Sequence, residues 1–157
     1  MAESLQVSLP HGPDWFEWPD GAPAVMPGGI NLLRSVIQPS HKPEGYKFDI
    51  SVARADEPEE SPTGYFGLLA EFQICSGEWV CGASALLYLQ CRDLGLLKLS
   101  DHELIATYGP WGSHALWDVF VIHGRALNAG HGANITFPTM TPEPTSLKPS
   151  DPETERT

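Results

Sequence analysis

The sequence predicts an α+β domain: a four-stranded antiparallel sheet followed by a short and a long helix. Three observations carry this. Apolar and polar residues alternate with period two through three segments of the middle third. A capping signature, Ser100-Asp101-His102-Glu103, marks the change from strands to helix. Beyond it the apolar spacing becomes helical, and strands followed by helices make an α+β layer architecture.

The first strand is the weakest, Ile30–Gln38 (INLLRSVIQ). In 47–54, Phe48, Ile50 and Val52 alternate with Lys47, Asp49 and Ser51. In 65–75, Phe66, Leu68, Ala70, Phe72 and Ile74 share one face. In 79–91 the corresponding face carries Trp79, Cys81, Ala83, Ala85, Leu87 and Leu89. Ser76-Gly77 reads as a two-residue hairpin turn. The register it implies sets Cys75 against Glu78, Ile74 against Trp79 and Phe66 against Leu87, which gathers both apolar sets on one side. Cys75 and Cys81 then lie on opposite faces and are not disulfide partners. The acidic linker 55–64 (ADEPEESPTG) is expected to be exposed.

Ser100 caps a short helix, about 101–108, which Gly109-Pro110-Trp111-Gly112 is expected to break. Ser113 then caps a long helix, about 114–129, with Leu116, Phe120, His123 and Leu127 on its apolar stripe and Gly130 at its end. Trp111 and Trp117 flank the second helix start, either as core residues or as the lining of a groove.

The chain has 157 residues, which suits one folded domain with irregular ends. Residues 1–28 form a Pro-rich arm with five prolines, four acids and no Lys or Arg. Trp15, Phe16 and Trp18 sit in it, and such aromatic density predicts docking on the body rather than free disorder. Residues 29–140 are the folded domain. Residues 141–157 (TPEPTSLKPSDPETERT) hold one strongly apolar residue, Leu147, and predict a disordered acidic tail.

The net charge is −11, which opposes binding to nucleic acid or to an anionic membrane surface. No apolar run reaches the length of a spanning helix, and the start lacks a secretory signal. Three cysteines cannot all pair, so reduced thiols in the cytoplasm are expected.

No residues are spaced for catalysis or metal binding. The six histidines include no pair one helical turn apart. Cys75, Cys81 and Cys91 lack CxxC spacing, and two of them fall on the apolar face, where cysteine acts as a small hydrophobe. No cofactor site and no enzyme is expected. The outward hairpin face, with Tyr65, Leu69, Glu71, Leu86 and Tyr88, is too apolar for plain solvent exposure and predicts a protein interface or a second covering layer.

The order of elements, with the run Asp101–Gly109, then Ala115-Leu116-Trp117, then Ile135-Thr136-Phe137-Pro138-Thr139, resembles the SecB family of export chaperones and their toxin–antitoxin-associated relatives. The resemblance covers about residues 28–141. Where that family carries a Pro-aromatic-x-Arg-Glu run, this chain reads Asp118-Val119-Phe120-Val121-Ile122, with Arg125 its nearest basic residue, as in a divergent or solitary member. The resemblance implies a homotetramer, or a dimer, that holds unfolded or pre-export polypeptides without ATP and delivers them to the SecA motor for translocation. It assigns SecA contact to Leu69 and Glu71. It places client-groove residues at Trp79, Leu87, Trp111, Trp117 and Phe120. Two other functions suit the same composition: a dedicated chaperone of one antitoxin or partner, and an acidic immunity or inhibitor protein.

Overall fold

The computed structural model describes residues 24–54 and 64–148. The chain order is β1 (Val25–Pro39), β2 (Gly45–Arg54), β3 (Gly64–Ser76), β4 (Trp79–Cys91), a 3-10 turn (Leu94–Lys98), α1 (Asp101–His131) and β5 (Ser146–Lys148). The sheet order is β1-β4-β3-β2-β5. The first four strands pair antiparallel, and β5 runs parallel to β2 at the edge. The expected α+β architecture is present. The acidic linker 55–63 and most of the N-terminal arm lie outside the described residues.

Alternation places the core. Phe48, Ile50, Phe66, Leu68, Ala70, Leu87 and Leu89 are at most 1% exposed, on the sheet face that α1 covers. The hairpin register differs from expectation by two residues. Ser76 faces Trp79 and Ile74 faces Cys81, with Gly77 and Glu78 forming the turn. The reason is Gly77, whose φ of 60° supplies the left-handed residue a two-residue turn needs at its first position. A shift of two preserves parity, so every side chain keeps its expected face. β1 is longer than expected and takes in Val25–Gly28 of the arm, with register irregularities between Pro27 and Gly29 and between Leu32 and Arg34.

One helix replaces the expected two. Its capping box is formed as read: Glu103 N donates to Ser100 Oγ at 3.3 Å and Ser100 N donates to Glu103 Oε2 at 2.8 Å. The helix then runs through Pro110. Gly112 faces the sheet, where a Cβ would collide with Leu68 Cδ1 and come within 3.4 Å of Leu87 Cδ2. This glycine therefore lets the backbone approach β3 and β4 closely. The packing gained there outweighs the cost of a proline in a helix, about 3 kcal/mol. Ser113 caps nothing; its hydroxyl donates to Pro110 O at 2.8 Å. The helix ends at Gly132, with φ 63°, rather than at Gly130.

Arg54 fixes the helix entry, donating to Asp101 Oδ1 (2.7 Å), Leu97 O (2.7 Å) and Leu99 O (2.6 Å). The start of the expected tail is also held. Thr145 N donates to Phe48 O at 2.7 Å and Phe48 N donates to Thr145 Oγ1 at 2.9 Å, which steers residues 146–148 onto the β2 edge. Pairing of three residues with β2, far away in sequence, thus holds a segment whose composition alone predicts disorder. Residues 149–157 lie outside the described residues.

Candidate functional site

The sheet face opposite α1 presents a polar relay and a furrow. Arg34 on β1 reaches across β4: its Nε donates to Ser84 Oγ at 2.9 Å and its Nη2 to Glu71 Oε1 at 2.9 Å. Ser84 Oγ in turn donates to Glu71 Oε1 at 3.2 Å. Next to this relay lies an open depression of about 430 Å³, walled by Arg34, Val36 and Gln38 on one side and Glu71 and Gln73 on the other. Gly82 forms part of its floor, because a glycine at the middle of β4 leaves no side chain to fill it. Further across, Lys47 pairs with Asp49 at 2.9 Å. That hydrogen bond and charge, with Glu71 adding to them, raise the Lys47 ammonium above its ordinary pKa.

Leu69 and Glu71 both point to this face, as alternation predicts. Glu71 is exposed and Leu69 is half-buried opposite Leu86. The face therefore offers an apolar half around Leu69 and a charged half around Glu71.

The five groove candidates do not come together on a surface. Leu87 (1% exposed), Trp117 (2%) and Phe120 (0%) are core residues. Trp117 and Phe120 belong to a ring cluster: Phe72 stacks on Phe120 at 4.6 Å between centroids, Phe48 on Phe72 at 4.8 Å, and Trp117 meets Phe120 at 5.4 Å. Their apolar character marks them as packing under α1, so in this conformation they offer nothing to a client. Trp79 is half-buried at the end of the sheet. Trp111 alone among the five is open, at 47%.

Trp111 has a companion that the sequence reading missed. Ile122 is 71% exposed and lies three turns further along α1, on the same line of the solvent side. Half-buried Ala115 and exposed Ala126 flank the line, and exposed Asp118 falls within it, seven residues from Trp111. Breaking the helix at 109–112 hides this alignment, because the phase between residues 111 and 122 exists only when one helix carries both.

Two histidines join separate segments, and the cysteines are buried. His123 Nε2 lies 2.9 Å from Ser35 Oγ, joining α1 to β1, and His114 Nδ1 lies 2.8 Å from Thr141 Oγ1. All three cysteines are free and buried. Burial pushes the Cys81 thiol up, and burial with the nearby Asp93 charge pushes Cys91 up to about 11. Among the described residues no cluster of three or more His, Cys, Asp or Glu could hold a metal ion, and no helix is long and apolar enough to cross a membrane.

Comparison with family models, curated proteins and solved structures finds no match to this chain.

Proposed function

We propose that this chain is an ATP-independent, SecB-like chaperone that holds extended apolar polypeptide on the solvent side of α1. The observation that carries this reading is the open line through Trp111 and Ile122. A Trp and an Ile standing clear of the core on one line, with Ala115 and the charged Asp118 between them, suit a largely apolar chain lying along a helix. Net charge of −11 keeps such a surface soluble. Delivery to a motor such as SecA belongs to the same reading and uses Leu69 and Glu71 on the opposite face. So does assembly into a dimer or tetramer; β1, first in the sheet order, has no described neighbour on its outer edge.

The test is aggregation of a denatured protein diluted into buffer without ATP, with and without this chain. Suppression at or below one chain per client supports the reading. No suppression across several unrelated clients rejects general holding. The short extent of the exposed line, two large side chains, favours a narrower variant in which one antitoxin or partner is the client. Suppression confined to a single partner identifies that variant.

A further inference from the structure

The outer face of β4 is buried where no described element covers it. Leu86 is 0% exposed, Tyr88 7% and Gln90 7%, and all three point away from α1. The helix, the 3-10 turn and the exit segment all lie on the other face. Gly112 approaches Leu68 and Leu87, Gly124 approaches Cys81, His123 meets Ser35, and Thr136 N donates to Ser76 Oγ at 3.3 Å. Lateral neighbours cannot close this patch. Asn31, opposite Leu86 on β1, is itself exposed, and Leu69, opposite it on β3, is only half-buried.

The patch is built to be covered. Asn31 Nδ2 donates to Tyr88 Oη at 3.1 Å and Gln90 Nε2 donates to Tyr65 Oη at 3.2 Å. The polar atoms are thus paired sideways, leaving Leu86, Leu69 and the tyrosine rings as an apolar surface. Leu86 leans over Gly67, where a Cβ would stand 2.6 Å from Leu86 Cδ1, so the surface is low and continuous. The other half of the face is open: Arg34 and Glu71 are exposed, and Val36 is 46% exposed.

We propose that the chain's own N-terminal segment, through Trp15, Phe16 and Trp18, docks on this Leu69–Leu86–Tyr88 patch. Composition selects it. Residues 55–63 and 149–157 offer no large apolar side chain, whereas residues 1–23 carry these three rings together with Leu5, Val7 and Leu9. Position selects it as well. Ala24 O accepts from Arg92 N at 3.0 Å, so the arm leaves the sheet beside Gln90 and Tyr88, the covered end. Leu86 is five strand positions from Cys91, about 17 Å. Trp18 is six residues from Ala24 and reaches about 20 Å when extended. The docked arm shares Leu69 with any partner that uses Leu69 and Glu71, so such a partner must displace it. This proposal does not depend on what the helix line binds.

The experiment is methyl NMR on the full chain. Cross-peaks between the rings of Trp15, Phe16 or Trp18 and the methyls of Leu86 and Leu69 are expected. Replacing the three rings (W15S/F16S/W18S) removes those cross-peaks and shifts Leu86 and Leu69, while Leu68, Leu87 and Leu116 under α1 stay in place. Cross-peaks from the rings to Ile122 or Trp111, or none at Leu86, overturn the proposal. So do cross-peaks seen only between differently labelled copies in a mixed sample, which would make the occupant a second copy. If the variant does not fold, the wild-type cross-peaks decide.

Discussion

Arg34 and Glu71 meet at 2.9 Å across an intervening strand, with β4 and its Ser84 between them. Both side chains are about half or more exposed, at 67% and 49%. An ion pair so placed contributes little to stability, about 0–1 kcal/mol. Glu71→Lys is therefore expected to leave the folded state intact, lowering Tm by no more than a few degrees. The same change reverses the charge at one wall of the furrow. A partner that docks through Leu69 and Glu71 then loses affinity while the circular dichroism of the variant stays native. Unchanged binding of a SecA-type motor removes those residues from the delivery surface.

The glycines of α1 make a pair of opposite predictions. A Cβ on Gly124 would stand 2.6 Å from Phe137 Cε1 and Cζ, a ring already packed against Phe120. Gly124→Ala forces that ring out of place and is expected to cost about 1–3 kcal/mol. Gly130 has nothing within 4 Å of its added Cβ and lies inside the helix. Gly130→Ala is expected to stabilise by about 0.4–1 kcal/mol through the unfolded chain and helix propensity. Urea unfolding of the two variants decides both signs.

These glycines also show what the sequence carries and what it hides. Strand faces are legible because period two is a local signal, and it survives even the two-residue slip of the hairpin. The capping box is legible because both its partners lie within one turn. Continuity of α1 is not. Gly109-Pro110-Trp111-Gly112 reads locally as a break, and only the approach of Leu68 and Leu87 from distant strands explains why it is helix. The candidate surfaces divide the same way. Leu69 and Glu71 follow from alternation, but Trp117 and Trp111 differ in burial through tertiary packing that composition does not encode. Ile122 joins Trp111 only once the helix is unbroken.

The capping box gives a pH prediction. The Ser100 backbone N–H, with its hydroxyl, hydrogen-bonds the Glu103 carboxylate and holds its pKa below the usual carboxylate value. A depressed folded pKa contributes stability that is present above the unfolded value, about 4.3, and is lost as pH falls through the folded value. Acidification from pH 5 toward pH 3 should thus erode helix stability, and Glu103→Gln should flatten that part of the profile. Thermal melts of both proteins across this range provide the check. Ser100→Ala, which removes the serine hydroxyl from the box, is expected to cost about 0.5–2 kcal/mol at neutral pH.

The thiols should be silent in the native protein. Cys75, Cys81 and Cys91 are buried and unpaired, and Cys91 has a pKa of about 11. At pH 8 its nucleophilic thiolate is a minor form, and burial excludes the reagent. A colorimetric thiol reagent should react slowly or not at all with native protein and read three thiols after denaturation in guanidinium. Rapid labelling in native protein would show that the face carrying the labelled thiol opens, the α1 side for Cys81 and Cys91 and the opposite side for Cys75.

Two tryptophans six residues apart on one helix separate holding from folding. Trp117 is 2% exposed and packs on Phe48, Phe72 and Phe120, so Trp117→Ala leaves a cavity in the ring cluster. Its expected cost is about 3–5 kcal/mol, enough to unfold much of a marginally stable domain. Trp111 is 47% exposed, and Trp111→Ala should move stability by less than about 1 kcal/mol. If the line through Trp111 and Ile122 holds clients, Trp111→Ala, and more so W111A/I122S, lose suppression of aggregation while keeping native melts. Full suppression by the double variant would place holding elsewhere. The outer edge of β1 would then be the next surface to change, since no described strand pairs with it and an extended client could add there as a further strand. Proline replacements along that edge at outward-facing amides would test it directly, because each removes one donor without touching the core.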